Sequence, residues 1–192
     1  MTNTLAPFGF SHIGYLDGQA PTFAGQPRLI SSSNATKIYR GDPVTTLSSG
    51  LITQASAGTT QIAGIFDSCS YLSIAQGKQV WSQYWPGSDA AGNVTAYVIS
   101  SPNATFLAQA LNTQITQGNV GNNINFAIGT GSTVNGISGA TLDQSTIANT
   151  TTLPFRIYSL SNGIGNGSDN GNPYNYAIVT FNYQDFKSLT GI

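Results

Sequence analysis

Charge is what this chain most lacks. Only 7% of its 192 residues are Asp, Glu, Lys or Arg, and no glutamate occurs at all, against about a quarter charged in ordinary domains. The six cations, Arg28, Lys37, Arg40, Lys78, Arg156 and Lys187, are scattered along the chain. Nucleic-acid binding needs clustered Lys and Arg to displace counterions, so no nucleic-acid partner is expected. One cysteine, Cys69, cannot form an internal disulfide. No run approaches the ~18 apolar residues of a helical membrane span, and the opening residues lack the basic start and apolar stretch of a signal peptide. The expectation is a protein made in the cytoplasm, with no membrane partner.

Catalytic residue sets are missing too. His12 is the single histidine and sits in a Gly/Pro-rich stretch. Without a second histidine, a CxxC pair or a carboxylate cluster, it reads as a polar residue of an extended segment rather than a metal ligand or a base. Nearly all seven aspartates (17, 42, 67, 89, 143, 169 and 185) stand beside Gly, Pro, Ser or Asn, where an Asp side chain starts a turn. Cys69 lies in strand-like sequence and reads as a small buried thiol. The glycine sets at 129–132 and 163–167 open no helix and precede no GK[ST], so they read as turns rather than phosphate loops. No enzyme, cofactor or metal is expected.

Strand signals, by contrast, are abundant. Short runs of Val, Ile, Tyr, Phe and Thr alternate with Gly, Asn, Asp and Pro at intervals of roughly ten residues. The runs fall at 28–31, 36–40, 43–47, 50–54, 60–66, 70–74, 79–84, 94–100, 104–110, 123–128, 139–142, 155–160 and 177–183. Helix formers at a 3.6-residue period are almost absent. The pattern predicts an all-β, single-domain antiparallel sandwich or barrel over residues 26–192. Residues 1–25 carry Pro7, Gly9, Gly14, Gly18, Pro21 and Gly25 interleaved with aromatics, a poor composition for a sheet centre. They read as an extended N-terminal arm that lays Phe8, Phe10, Tyr15 and Phe23 on its own barrel or on a neighbouring subunit.

The densest aromatic cluster is Val80-Trp81-Ser82-Gln83-Tyr84-Trp85-Pro86. Strand alternation puts Trp81, Gln83 and Trp85 on one face. Trp81 is assigned to the core, while Trp85, beside Pro86, joins the candidate protein-interface residues with Phe8, Phe10, Tyr15 and Phe23. A long Gly/Asn loop spans 161–173, of open role.

The succession of several segments resembles the capsid cement, or decoration, proteins of tailed bacteriophages. They are Asn3-Thr4-Leu5-Ala6-Pro7-Phe8-Gly9-Phe10, Gly41-Asp42-Pro43-Val44, Gly64-Ile65-Phe66-Asp67-Ser68-Cys69-Ser70-Tyr71 and Tyr84-Trp85-Pro86-Gly87-Ser88. Ala96-Tyr97-Val98-Ile99-Ser100-Ser101-Pro102-Asn103, Gly136-Ile137-Ser138-Gly139 and Phe155-Arg156-Ile157 complete the series. The resemblance implies a jelly-roll-like fold, assembly as a homodimer or homotrimer, and a place on the outer surface of the virion head. Its partner there would be the major capsid protein, whose subunits it would bridge to stabilise the capsid. A carbohydrate-binding or receptor-binding fibre domain of a virion is the alternative, resting on the aromatic cluster and the neutral, hydroxyl-rich composition.

Overall fold

A computed structural model describes residues 2–22, 24–162 and 165–188. Its strands, in chain order, are β1 (Ser11–Tyr15), β2 (Gln26–Ile30), β3 (Ile38–Tyr39), β4 (Pro43–Thr46), β5 (Ile52–Gln54), β6 (Gly64–Ser73) and β7 (Lys78–Ser82). There follow β8 (Tyr84–Trp85), β9 (Val94–Ile99), β10 (Ala104–Gln109), β11 (Asn123–Ala127), β12 (Thr141–Ala148), β13 (Phe155–Leu160) and β14 (Tyr176–Phe181). Among the described residues the sole helical element is a 3-10 turn at Gln117–Asn119. The chain is all-β, with antiparallel sheets packed as a sandwich.

The first sheet runs β1-β10-β14-β13-β11-β12, and the second runs β2-β9-β6-β4-β5 with β7 also paired to β6. A short β3-β8 pair stands beside them. Two ladders tie the sheets together: β1 pairs with β10 in the first, and β2 pairs with β9 in the second. The segments β1–β2 and β9–β10 therefore form one antiparallel ribbon crossing from sheet to sheet. The first sheet also curls back on itself, because Ala110 bridges Leu142 of β12 and the Leu111 amide donates to the Leu142 carbonyl at 2.9 Å.

Alternation of apolar residues along the strands builds two cores. Phe106, Phe126, Phe155, Val179 and Phe181 face inward from the first sheet and meet Phe10, with Ile62, Ile65 and Ile99 entering from the second-sheet side. Ile30, Ile38, Val44, Phe66, Tyr71, Val94, Val98 and Trp85 fill the second. The expected strands 60–66 and 70–74 are one strand, β6. A register shift between Phe66 and Ser68 accommodates the polar step that looked like a break, and Asp67 there pairs with Arg40.

Residues 2–22 do not stand off as an arm. Ser11–Tyr15 is the edge strand of the first sheet, Phe10 is 2% exposed, and its ring stacks on Phe155 at 4.4 Å. Glycine and proline keep residues 2–10 out of a ladder, and side-chain amides hold them instead. The Asn3 amide donates to the carbonyls of Asp169 and Pro173, and its oxygen accepts from the Gly167 amide. Asn166 and Gln109 both bond the backbone of Thr4. The described part of the Gly/Asn loop is thus a clasp on the N-terminal segment.

The two sheets, the N-terminal segment and the 136–138 loop converge on Gly41-Asp42. The Phe10 amide donates to Gly41 O (2.9 Å), Gly41 donates to Phe66 O (2.8 Å), and Phe66 donates to Asp42 O (2.9 Å). Gly9 has φ +73°, and a Cβ there would lie 2.7 Å from both Gly41 O and Ser138 Cβ, so only glycine fits this approach. The Asp42 side chain is 0% exposed; its carboxylate accepts from the Tyr39 amide (2.8 Å), the Gln54 amide (2.6 Å) and the Ser138 hydroxyl (2.5 Å).

Removing that acceptor orphans three donors, two of them buried. Asp42→Ala is expected to lower the unfolding free energy by about 3–5 kcal/mol in urea titration. Burial holds the Asp42 carboxyl above its ordinary range, against the lowering pull of Ser138, Tyr39 and Gln54. The folded state therefore holds this proton more tightly than the unfolded chain. Stability from this group falls as pH rises through the folded-state value and is regained toward the ordinary carboxylate range. Asp42→Asn should remove that component, read as the difference between the stability–pH curves of the two proteins.

Candidate functional site

On the second sheet, inward residues Val94, Ala96 and Val98 of β9 and Cys69 and Tyr71 of β6 fill the core, so their neighbours turn outward. Backbone register aligns those neighbours. Trp81 of β7 stands opposite Ser70, Ser70 opposite Thr95, and Thr95 opposite Leu29. The next row is Ser68, Tyr97 and Pro27, and on the other side Gln79 pairs with Leu72. Four strands at ordinary spacing make this surface about 14 Å wide. None of these nine residues is charged.

Trp81 is 65% exposed, and its ring stacks on Tyr97 with centroids 4.7 Å apart and planes 26° from parallel. Leu72 is exposed beside it, Leu29 is exposed at the opposite edge of the row on β2, and Ile74 lies exposed just past the end of β6. The stack fixes the indole before any partner arrives, so little side-chain entropy is left to lose on binding. Chemically the surface offers a flat aromatic ring, aliphatic flanks, and the hydroxyls of Ser70 and Thr95.

This reverses the expected roles of the two tryptophans. Trp85, expected at an interface, is 0% exposed; it lies edge-on to Tyr71, and its indole N–H donates to Asn34 O at 3.0 Å. Trp81, expected in the core, is the exposed one. Alternation fails because the strand ends at Ser82, whose hydroxyl bonds both the amide and the carbonyl of Tyr84. The chain turns, β8 joins β3 rather than β6, and Trp85 swings inward.

Of the other candidate interface residues, Phe10 is core. Phe8 is half-buried edge-on to Tyr176, and Tyr15 is half-buried with its hydroxyl 3.0 Å from Thr22. Phe23 lies outside the described residues. The structure therefore does not gather the four described ones into one surface. The signal for Tyr97 was present in the sequence, since alternation along 94–99 sets Thr95 and Tyr97 opposite Val94, Ala96 and Val98.

The titratable groups sit elsewhere. A cleft of about 200 Å³ at the seam of the sheets is lined by Phe8, His12, Arg40, Asp67 and Ile137. Within it Arg40 Nε meets Asp67 Oδ1 at 3.0 Å. Burial lowers the His12 pKa, partly offset by its bond to Gly14 O and by the Asp67 charge. Burial pushes the Cys69 thiol up to about 12, so it stays a thiol at neutral pH, with Tyr84 O 3.6 Å away. Among the described residues no three His, Cys, Asp or Glu side chains are placed to hold a metal ion, and no helix is long and apolar enough to cross a membrane.

The two tryptophans should separate in experiment. Trp85→Ala is expected to cost about 3–5 kcal/mol of stability, and Trp81→Ala less than about 1 kcal/mol, by urea denaturation. Comparison with protein-family models, with curated proteins and with solved structures gives no match.

Proposed function

We propose that this chain is a structural protein of a bacteriophage virion that binds the outer surface of the head and bridges major capsid protein subunits. The observation that carries the proposal is the uncharged outer face of the second sheet, with Trp81 stacked on Tyr97 and exposed. Exposed Trp and Tyr on a flat surface are the residues that most often dominate protein interfaces. Low charge removes the repulsion that keeps ordinary monomers apart and suits a protein that ends in an assembly.

The resemblance to cement proteins supports the same reading through the fold. Its Gly9-Phe10, Gly41-Asp42, Phe66 and Gly136–Ser138 segments are the ones that meet around Asp42. Those residues build the scaffold, and the contact surface lies on another part of it. Binding the expanded lattice and not its precursor would stabilise the shell by the free energy of that binding. A homodimer or homotrimer touching several capsomers would add avidity.

The experiment is to mix purified protein with expanded heads that lack it. Saturable, stoichiometric binding is expected, with Trp81→Ala and Tyr97→Ala each weakening it at least tenfold while leaving the fold intact. Heads that bind neither protein nor variant, or bind both equally, overturn the proposal.

One observation favours a second reading, carbohydrate binding by a virion fibre domain. The Trp81 ring, flanked by the hydroxyls of Ser70 and Thr95, is also a surface on which a sugar ring can stack. Retention on immobilised glycans that Trp81→Ala abolishes, together with no binding to heads, would select it.

A further inference from the structure

A groove of about 580 Å³ lies over the outer face of the first sheet, within the roughly 300–1,000 Å³ of small-molecule sites. Arg156, Tyr158 and Thr180 of β13 and β14 line it, with Leu16 from the crossing ribbon, Val120 beyond the 3-10 turn, and Lys187 from the C-terminal segment. It lies on the other sheet from Trp81 and Tyr97.

Its charge is unusual for this protein. Among the described residues, two of the chain's six cations line the groove and no acid does. Among the described residues the ion pair is Arg40–Asp67, so Arg156 and Lys187 face each other's charge with no carboxylate between them. Neutral oxygens hold both in place. Arg156 Nε donates to Asn123 Oδ1 (2.9 Å) and Nη2 to Asn182 Oδ1 (3.1 Å), while Lys187 Nζ donates to Phe181 O (2.7 Å). Two of the guanidinium's five N–H groups are used, leaving three, and one of the ammonium's three, leaving two. Burial, and then the Arg156 charge, hold the Lys187 amine below its ordinary range.

We propose that this groove binds a small organic anion, with its carboxylate on Arg156 and Lys187 and its apolar body over Leu16, Val120 and Tyr158. The planar guanidinium matches a carboxylate in shape as well as charge. Carboxylate oxygens supply the acceptors that the free N–H groups lack. The exposed side chains of Leu16 and Tyr158 gain burial that a bare inorganic ion could not give them.

The test uses the full chain at low salt, titrated calorimetrically with benzoate, benzyl alcohol and inorganic phosphate. Benzoate should bind saturably and at least tenfold more tightly than either of the others, and should weaken as salt rises. Lys187→Gln should cut benzoate affinity at least tenfold without moving the urea midpoint, and Arg156→Gln should cut it further. Trp81→Ala should leave benzoate binding unchanged, which keeps this result separate from the head-binding one. Absence of saturation, benzyl alcohol or phosphate binding as tightly as benzoate, or indifference to Lys187→Gln would each overturn the proposal.

Discussion

The Asp42 carboxylate, sealed from solvent and bonded by Tyr39, Gln54 and Ser138, is the contact on which the rest of the fold depends. A buried charge tolerates no movement of its donors, because an unsatisfied ion in an apolar interior costs several kcal/mol. Its three donors come from the β3 end, from β5 and from the loop before β12. The backbone on either side of it binds Phe10 and Phe66. One side chain thereby sets the relative placement of both sheets and of the N-terminal segment.

Elsewhere amides do what ions do in more highly charged proteins. Asn3, Gln109, Asn175 and Gln184 are buried, and each reaches backbone groups far away in the chain. Gln184 donates to the carbonyls of Ala63 and Ser100, which stitches the C-terminal segment to the second sheet. A neutral amide both donates and accepts, so it can satisfy a backbone from within at a smaller desolvation cost than a charge. The composition that suggested a neutral surface also describes a neutral set of internal ties.

That second role was not legible in the sequence, because an Asn that clasps a distant loop looks like one that faces water. The strands were legible wherever alternation ran through most of the segment, as in 94–98 and 104–108, since a period of two depends only on neighbours along the chain. Strand β1 was not, because Gly14 and the nearby prolines mask a segment whose pairing with β10 lies about ninety residues away. The exchange of roles between Trp81 and Trp85 has a local cause. One serine hydroxyl ended the strand at the residue right after Trp81, and period-two reasoning carries no term for that. The exposed stack on Tyr97 needed the register of three strands, which no single segment contains.

The crossing ribbon also dictates an order of events as the chain emerges from the ribosome. Strands β2 to β9 are contiguous in sequence, so the second sheet and its core can close once residue 99 has been made. Strand β1 is synthesised first yet has no partner until β10 follows, and the clasp on Asn3 and Thr4 must wait for residues 166–173. The earliest residues made are thus among the last to be secured. Until then Phe8 and Phe10 travel uncovered, and this aromatic segment stays open to neighbours during the slowest, most non-local stage of folding.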